Sequence, residues 1–370
     1  MAPQAVTVSF RLGGDDGVSV EARKWAWALH ELGFENRRVA GEIEGPVEPD
    51  DIVIPGLAID PSHSGRSDRD PVEPGVLRAA LQGADLVVVD NICSLPLNVD
   101  AARAVARVAS EHTGRVCFRH HDLPWQRRNL TQLEADFPPR VDGALHATIN
   151  LRSRRELHAR GYADAVTIHN YFDLDPPAHD RNTTRNQFGF GDDDFVLFQP
   201  ARAIERKNVP GALRFAQQLH GLAPGLPLRL WISGPAEDGY APVLERIMER
   251  AQIPITVGRA PTAGDGYAAS DLVVFPSTWE GFGNPVVESI AYRRACATYP
   301  YPVLAEIVAA GVRVFSTQQP ETVAKFLSEP PAVRERFFDA NVHRARVSFS
   351  LPDLPAAIDE TFAAHGWIAW

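Results

Sequence analysis

Short β-branched apolar runs alternate with stretches of helical spacing along most of the chain. Val6–Phe10 is followed by a helix-like stretch from Val18 to Leu32, and strand candidates recur at Ile52–Ile54, Leu86–Val89, Val116–Phe118, Ala147–Ile149 and Val166–Ile168. Helical stretches lie between several of them, including Val99–Ser110 and Arg152–Arg160. Strands that are apolar throughout suit a parallel sheet covered on both faces, and the intervening helices supply the crossovers that parallel strands need. Between about Asn170 and Asp194 the periodicity lapses into Asp, Pro, Asn, Thr and Gly, which reads as a linker. A second series follows, with strands at Phe195–Phe198, Leu228–Ile232, Ile255–Val257, Leu272–Phe275, Cys296–Thr298 and Val312–Phe315. Its helices are expected at Val209–Leu222, Tyr240–Ala251, Pro285–Tyr292 and Val303–Ala309, and helices near Ala332–Ala345 and Leu354–Ala364 close the chain. The fold class is therefore α/β, with two Rossmann-like, doubly wound domains and ligands expected at the sheet ends. The first domain is expected over 1–172 and the second over 173–352, with the closing helix at about 353–370 packing back on the first.

Composition narrows the function more than the fold. At 370 residues, with 45% hydrophobic and 23% charged residues, the chain can bury two ordinary cores. The formal charge of −10 disfavours a nucleic-acid or anionic-membrane surface, while leaving room for a local phosphate pocket. Cys93, Cys117 and Cys296 are far apart and read as buried thiols, not as a disulfide framework or metal site. No signal-peptide pattern precedes the first strand, and no run approaches the ~18 apolar residues of a membrane span, which points to a cytoplasmic protein.

The chemistry concentrates in Asp271-Leu-Val-Val-Phe-Pro-Ser-Thr-Trp-Glu-Gly-Phe-Gly-Asn-Pro-Val-Val-Glu288. Leu272–Phe275 is a buried strand, Gly281 and Gly283 let backbone approach a ligand, and Pro285 suits a first helical position. A helix starting near Asn284 would direct its amides and positive dipole end at a phosphate. Glu280 and Glu288 can then flank a nucleotide sugar. Without a ligand, Glu288 reads as a helix-start carboxylate and Glu280 as a solvated loop acid. The segment resembles the family 4 retaining glycosyltransferases of the GT-B fold, whose two glutamates are separated by seven residues, as in Glu280-Gly-Phe-Gly-Asn-Pro-Val-Val-Glu288. That resemblance implies two domains facing across a cleft, with Glu280 on the donor hexose and Glu288 on the ribose. The amides around Phe282, Gly283 and Asn284 would then serve the sugar and phosphates.

Phe198-Gln-Pro-Ala-Arg-Ala-Ile-Glu-Arg-Lys-Asn208 follows another strand, and Arg202 and Lys207 match the family's diphosphate-binding Arg and Lys, with Arg206 an alternative to either. With no metal, these cations would balance the leaving diphosphate. Arg11-Leu-Gly-Gly-Asp-Asp-Gly-Val-Ser resembles the family's first glycine-rich loop, so Gly13 and Gly14 are expected near the donor phosphates. Their spacing with Gly17 is not that of a dinucleotide fingerprint, which weakens a dehydrogenase reading. Phe118-Arg-His-His-Asp-Leu-Pro124 resembles the family's His-Asp segment, whose histidine lines the reacting sugar; His121 is the choice and His120 the other candidate. Asp192-Asp-Asp194 precedes a strand and reads as a solvated turn, and adjacent His120, His121 and Asp122 cannot readily converge on an ion, so no metal site is expected.

The resemblance implies retaining hexosyl transfer, without cofactor or metal, from a nucleotide diphosphate sugar. With no basic amphipathic helix evident, the expected acceptor is small and soluble, such as a sugar or sugar acid, instead of a lipid. The proposed route is front-face, the leaving phosphate itself taking the acceptor's proton. Tyr292-Arg-Arg-Ala-Cys296 replaces the Cys-Gly-x-Pro of many members, and Tyr299-Pro-Tyr-Pro-Val-Leu-Ala-Glu306 lacks their glycine pair, although Glu306 matches the acid that ends that segment. A phosphorylase, a nucleotide-sugar epimerase and a non-catalytic sensor on the same fold are the rival readings. Donor base, donor sugar, acceptor and any self-assembly stay open.

Overall fold

A computed structural model describes residues 2–60, 72–237 and 239–367. The chain divides into two compact units, Met1–Tyr171 with Pro352–Trp370, and Phe172–Leu351. In the first, strands β1 (Gln4–Leu12), β2 (Glu35–Ile43), β3 (Ile52–Val53), β4 (Leu86–Asp90), β5 (Arg115–His120), β6 (Leu145–Thr148) and β7 (Val166–Thr167) form a parallel sheet in the order β3-β2-β1-β4-β5-β6-β7. In the second, β8 (Phe195–Gln199), β9 (Leu228–Ile232), β10 (Ile255–Val257), β11 (Leu272–Phe275), β12 (Ala295–Thr298) and β13 (Phe315–Ser316) are ordered β10-β9-β8-β11-β12-β13, again parallel.

Each sheet reverses its winding direction once. The reversal falls between β1 and β4 in the first unit and between β8 and β11 in the second. Chain leaving neighbouring strands at such a point turns to opposite sides, which opens a crevice at the carboxyl ends. The loops that open there carry the residues singled out above: Gly13 and Gly14 after β1, Arg202 to Lys207 after β8, and Glu280 to Asn284 after β11. The central strands justify their apolar sequences, since Leu86 to Asp90 and Leu272 to Phe275 are buried along their whole length.

Several elements depart from the pattern of apolar positions. β2 escaped it because Glu35-Asn-Arg-Arg opens the strand in polar residues, and only Val39, Ala40 and Gly41 are buried. It lies between β1 and the two-residue β3, where Arg38 can pair with Asp51 and Arg37 can donate to Ala80 O at 2.9 Å. The supposed linker holds a helix, Arg181–Gln187, with Asp180 accepting from the amides of Asn182 and Thr183. This helix is anchored by guanidinium bonds instead of an apolar face: Arg181 reaches Asp271 at 2.6 Å, and Arg185 reaches the carbonyls of Gly191 and Asp194, each at 2.6 Å. The last strand begins at Phe315 instead of Val312, because the Asn341 side chain occupies both the amide and the carbonyl of Arg313. Helices at Pro74–Ala80, Ala263–Ala269 and Pro320–Ser328 were also unanticipated. Cys93, Cys117 and Cys296 are buried free thiols. Among the described residues no helix is long and apolar enough to cross a membrane.

A stack of Phe118, His146 and His120, with ring centroids 5.2 Å apart at each step, joins β5 to β6. His120 Nε2 and His146 Nδ1 share a hydrogen bond of 2.9 Å, which needs a neutral ring on at least one side. Burial, reinforced by Arg140 and His365, pulls His146 down to about 4, and burial with His146 and His121 pulls His120 well below its usual value. Both groups bind protons more readily in the unfolded chain. Their stabilising effect is therefore present above about pH 6.5 and is lost as pH falls from there toward 4. At pH 5 the loss from His146 alone is about 2 kcal/mol, and His120 adds in the same direction. Urea midpoints of the first unit measured at pH 7.5 and 5 should fall accordingly; equal midpoints would show that the pair is not buried and neutral.

Candidate active site

In the second unit two loops are tied together before any ligand is considered. The loop after β8 passes through a short 3₁₀ turn, Glu205–Lys207, into the helix Val209–Leu222, which Asn208 caps at φ +51. The loop after β11 runs from Pro276 to the helix Asn284–Ala291. Thr278 donates its amide to Arg206 O at 2.9 Å, Arg206 Nη1 reaches Trp279 O at 3.2 Å, and Asn208 Nδ2 reaches Pro276 O at 3.2 Å. Gln199 Nε2 holds Lys207 O at 2.8 Å from the end of β8 itself.

These ties present Glu280 to two cations. Its Oε1 lies 2.6 Å from Lys207 Nζ and its Oε2 lies 3.0 Å from Arg206 Nη1. Glu280 is only 8% exposed, so it is not the solvated acid that a bare loop would suggest, nor does it stand clear of the core. Burial pushes its carboxyl up, but Lys207 and Arg206 outweigh burial and hold it at about 2. Burial also pulls Lys207 down to about 8, with Arg206 and Arg202 adding repulsion and Glu280 opposing. One buried carboxylate thus faces two cations, leaving a net positive charge at the sheet's reversal point. Arg202 contributes from slightly further off, with its Nη1 on Glu237 at 2.5 Å and both side chains 38% exposed.

The glycine before the helix has a steric reason. Gly283 sits at φ +110, and a Cβ there would lie 1.8 Å from Tyr301 Oη. That hydroxyl donates to Phe282 O at 3.1 Å, while the buried Phe282 ring packs on Phe172 and Phe349. Tyr301 thereby fixes the turn that aims the amino end of the helix carrying Asn284. Glu288, one turn in, is directed elsewhere: it accepts a 2.6 Å hydrogen bond from Tyr267, a fully buried residue stacked on Tyr292. Glu306 lies in the first turn of the helix Leu304–Ala309. Arg293, just past the helix Asn284–Ala291, takes φ +55 and pairs with Glu335 and Asp339. Asp192-Asp-Asp194 is a turn in which Asp194 receives the Gly191 amide at 2.7 Å and pairs with Arg229.

In the first unit Gly13 has φ +85, and a Cβ there would strike Glu44 O at 2.1 Å; Arg23 Nη1 donates to the carbonyls of Gly13 and Gly14 at 3.1 and 2.6 Å. His121 follows β5 and places Nε2 2.9 Å from Asp90 Oδ1, at the end of β4. His120 points instead into the buried aromatic stack. Burial pushes the Asp90 carboxyl up, but Arg119 and His121 hold it below the usual carboxylate range. Asp90, Arg119, Tyr267 and Tyr301 were not among the residues singled out from sequence. Asp90 left one readable signal, an acid closing the otherwise apolar run Leu86-Val-Val-Val.

Residues 180–337 match the family described as Glycosyl transferases group 1. The chain carries a group 1 domain and is a glycosyltransferase. It is 25% identical to the mannosylglucosylglycerate synthase of Thermotoga maritima, over 84% of this chain and 83% of that one. It is 28% identical to the D-inositol 3-phosphate glycosyltransferase of Rhodococcus erythropolis, over 50% and 46%. The Anabaena protein Alr3699/HepE, solved in complex with UDP-glucose, superposes with a TM-score of 0.72 at 17% identity, covering 98% of this chain and 99% of that one. The expected GT-B fold is the fold of this glycosyltransferase.

Its two glutamates should respond differently to neutralisation. Glu280→Gln leaves Lys207 and Arg206 facing each other without their shared carboxylate, at a cost of roughly 3 kcal/mol. Glu288→Gln keeps an oxygen for the Tyr267 hydroxyl, so its cost should stay under about 1 kcal/mol. Chemical denaturation of both variants decides this; equal losses would mean that Glu280 is not the counterion of a buried cation pair.

Proposed function

We propose that this glycosyltransferase moves a hexosyl group from a nucleoside diphosphate sugar to a small soluble hydroxyl acceptor, with retention of anomeric configuration and without a metal ion. The observation that carries the reading is Glu280 sunk between Lys207 and Arg206, where the winding of the second sheet reverses. A leaving diphosphate develops negative charge as the anomeric C–O bond breaks, and preorganised cations stabilise that charge without reorganising. Lys207, Arg206 and Arg202 supply it here, and the helix beginning at Asn284 adds its positive dipole end. Glu280 keeps its charge in this field and can accept from sugar hydroxyls, while Glu288, already an acceptor from Tyr267, is assigned to the ribose.

In the proposed front-face step the diphosphate leaves and the acceptor oxygen bonds to the anomeric carbon from the same side. The departing phosphate oxygen takes the acceptor's proton. For the first unit we assign His121 to the transferred sugar and the loop of Gly13 and Gly14 to the donor phosphates. A nucleoside diphosphate donor is in keeping with the Anabaena protein, whose solved complex holds UDP-glucose. A small polar acceptor is in keeping with the Thermotoga maritima relative, named for a product that contains glycerate.

Purified protein, an α-linked donor and a glycerate or sugar-acid acceptor should give an α-linked first product by proton NMR, at the same rate in excess EDTA. A β-linked product would contradict retention, and loss of activity in EDTA with recovery on adding metal would contradict the metal-free step. The Lys207 ammonium, held at about 8, also predicts the sign of a pH effect. Charged below that value and neutral above it, it should make calorimetric UDP affinity fall about tenfold between pH 7 and 9.5. Lys207→Arg should remove most of that fall, and an affinity that is flat in the wild type would take Lys207 out of the diphosphate site.

A further inference from the structure

The His121 ring is held from one side. Its Nε2 lies 2.9 Å from Asp90 Oδ1, and its main-chain amide donates to Asn91 Oδ1 at 3.3 Å, while Nδ1 has no hydrogen-bond partner among the described residues. Asn91 takes φ +65, the left-handed turn that lets one dipeptide at the end of β4 grip both the backbone and the ring of His121. The other carboxylate oxygen of Asp90 is also committed, with Oδ2 3.2 Å from Arg119 Nη1. Arg119 is 1% exposed, lies over the Trp25 ring at 4.7 Å, and places Nη2 3.5 Å from Glu21, which pairs with Lys24 at 2.6 Å. Opposite charges therefore alternate from Lys24 through Glu21 and Arg119 to Asp90, whose other oxygen faces the His121 ring, all within the first unit.

An ionised carboxylate only accepts, so Asp90 Oδ1 requires the proton of His121 to sit on Nε2. In the neutral ring the remaining nitrogen, Nδ1, is then an acceptor. We infer that Asp90, clamped by Arg119, is a positioning residue that fixes the His121 tautomer and keeps Nδ1 ready to accept a hydroxyl of the transferred sugar. This rests on the assignment of His121 to the sugar made above. The clamp matters because Arg119 distinguishes the two oxygens. Arginine can only donate, so whichever atom faces Arg119 must be an acceptor.

Asp90→Asn turns that constraint into a test. Arg119 claims the one amide oxygen, the amide nitrogen is left facing His121, and it can only donate to Nε2. The ring proton must then move to Nδ1, which abolishes the outward acceptor while conserving size and packing. Nitrogen-15 NMR of histidine-labelled protein at about pH 8.5, where an ordinary imidazole is neutral, should show Nε2–H in the wild type and Nδ1–H in Asp90→Asn. In transfer assays the variant should lose at least about tenfold in kcat, the direction established for wrong-tautomer histidines. The same exchange in a His121→Ala background should cost nothing further. A wild-type ring protonated at Nδ1 overturns the inference without any variant. An unchanged tautomer in folded Asp90→Asn overturns it, and so does an equal loss of activity when His121 is already absent. Wild-type transfer by His121→Ala would instead overturn the assignment of His121 to the sugar, and with it the link from Asp90 to transfer, while the tautomer itself is read separately.

Discussion

A carboxylate buried between two cations organises the second unit. Glu280 could not lie 8% exposed without Lys207 and Arg206, and neither cation could be held so close to the other without Glu280. A buried ion pair of this kind adds little net stability, because desolvation offsets attraction, but removing one partner is expensive. Its value lies in position. The loop after β8 and the loop after β11 are distant in sequence, and the triad together with their backbone bonds makes them one surface with surplus positive charge.

The first unit solves a related problem in the same way. Asp90 is wholly buried at the carboxyl end of β4 and is held by Arg119 from β5, with His121 next in line. In both units, then, a buried acid is balanced by cations from the neighbouring strand or its loop, beside the strand pair where the winding reverses. The buried charges there face opposite charges already in place. A ligand entering such a site meets oriented charges instead of mobile ones, and charges fixed in advance stabilise developing charge without reorganising.

Much of this was legible from local sequence, because each feature of Glu280-Gly-Phe-Gly-Asn-Pro has a local cause: a glycine at positive φ, a proline at the first helical turn and acids at fixed spacing. What was illegible depends on residues far away in the chain. Nothing near Gly283 announces that Tyr301 will stand over it, and nothing near His121 announces Asp90 or Glu21. The stretch around Arg181–Gln187 looked like a linker because guanidinium groups, not an apolar face, fix it to the sheet. β2 was missed for the same reason, its polar half finding partners in Asp51 and Ala80.

A crystal structure with a nucleoside diphosphate tests the central claim most directly. The account predicts diphosphate oxygens within about 3 Å of Lys207 Nζ and of a guanidinium from Arg202 or Arg206, with the phosphates at the amino end of the helix Asn284–Ala291. A diphosphate bound away from that helix, with Lys207 and Arg206 still engaged only by Glu280, would contradict it.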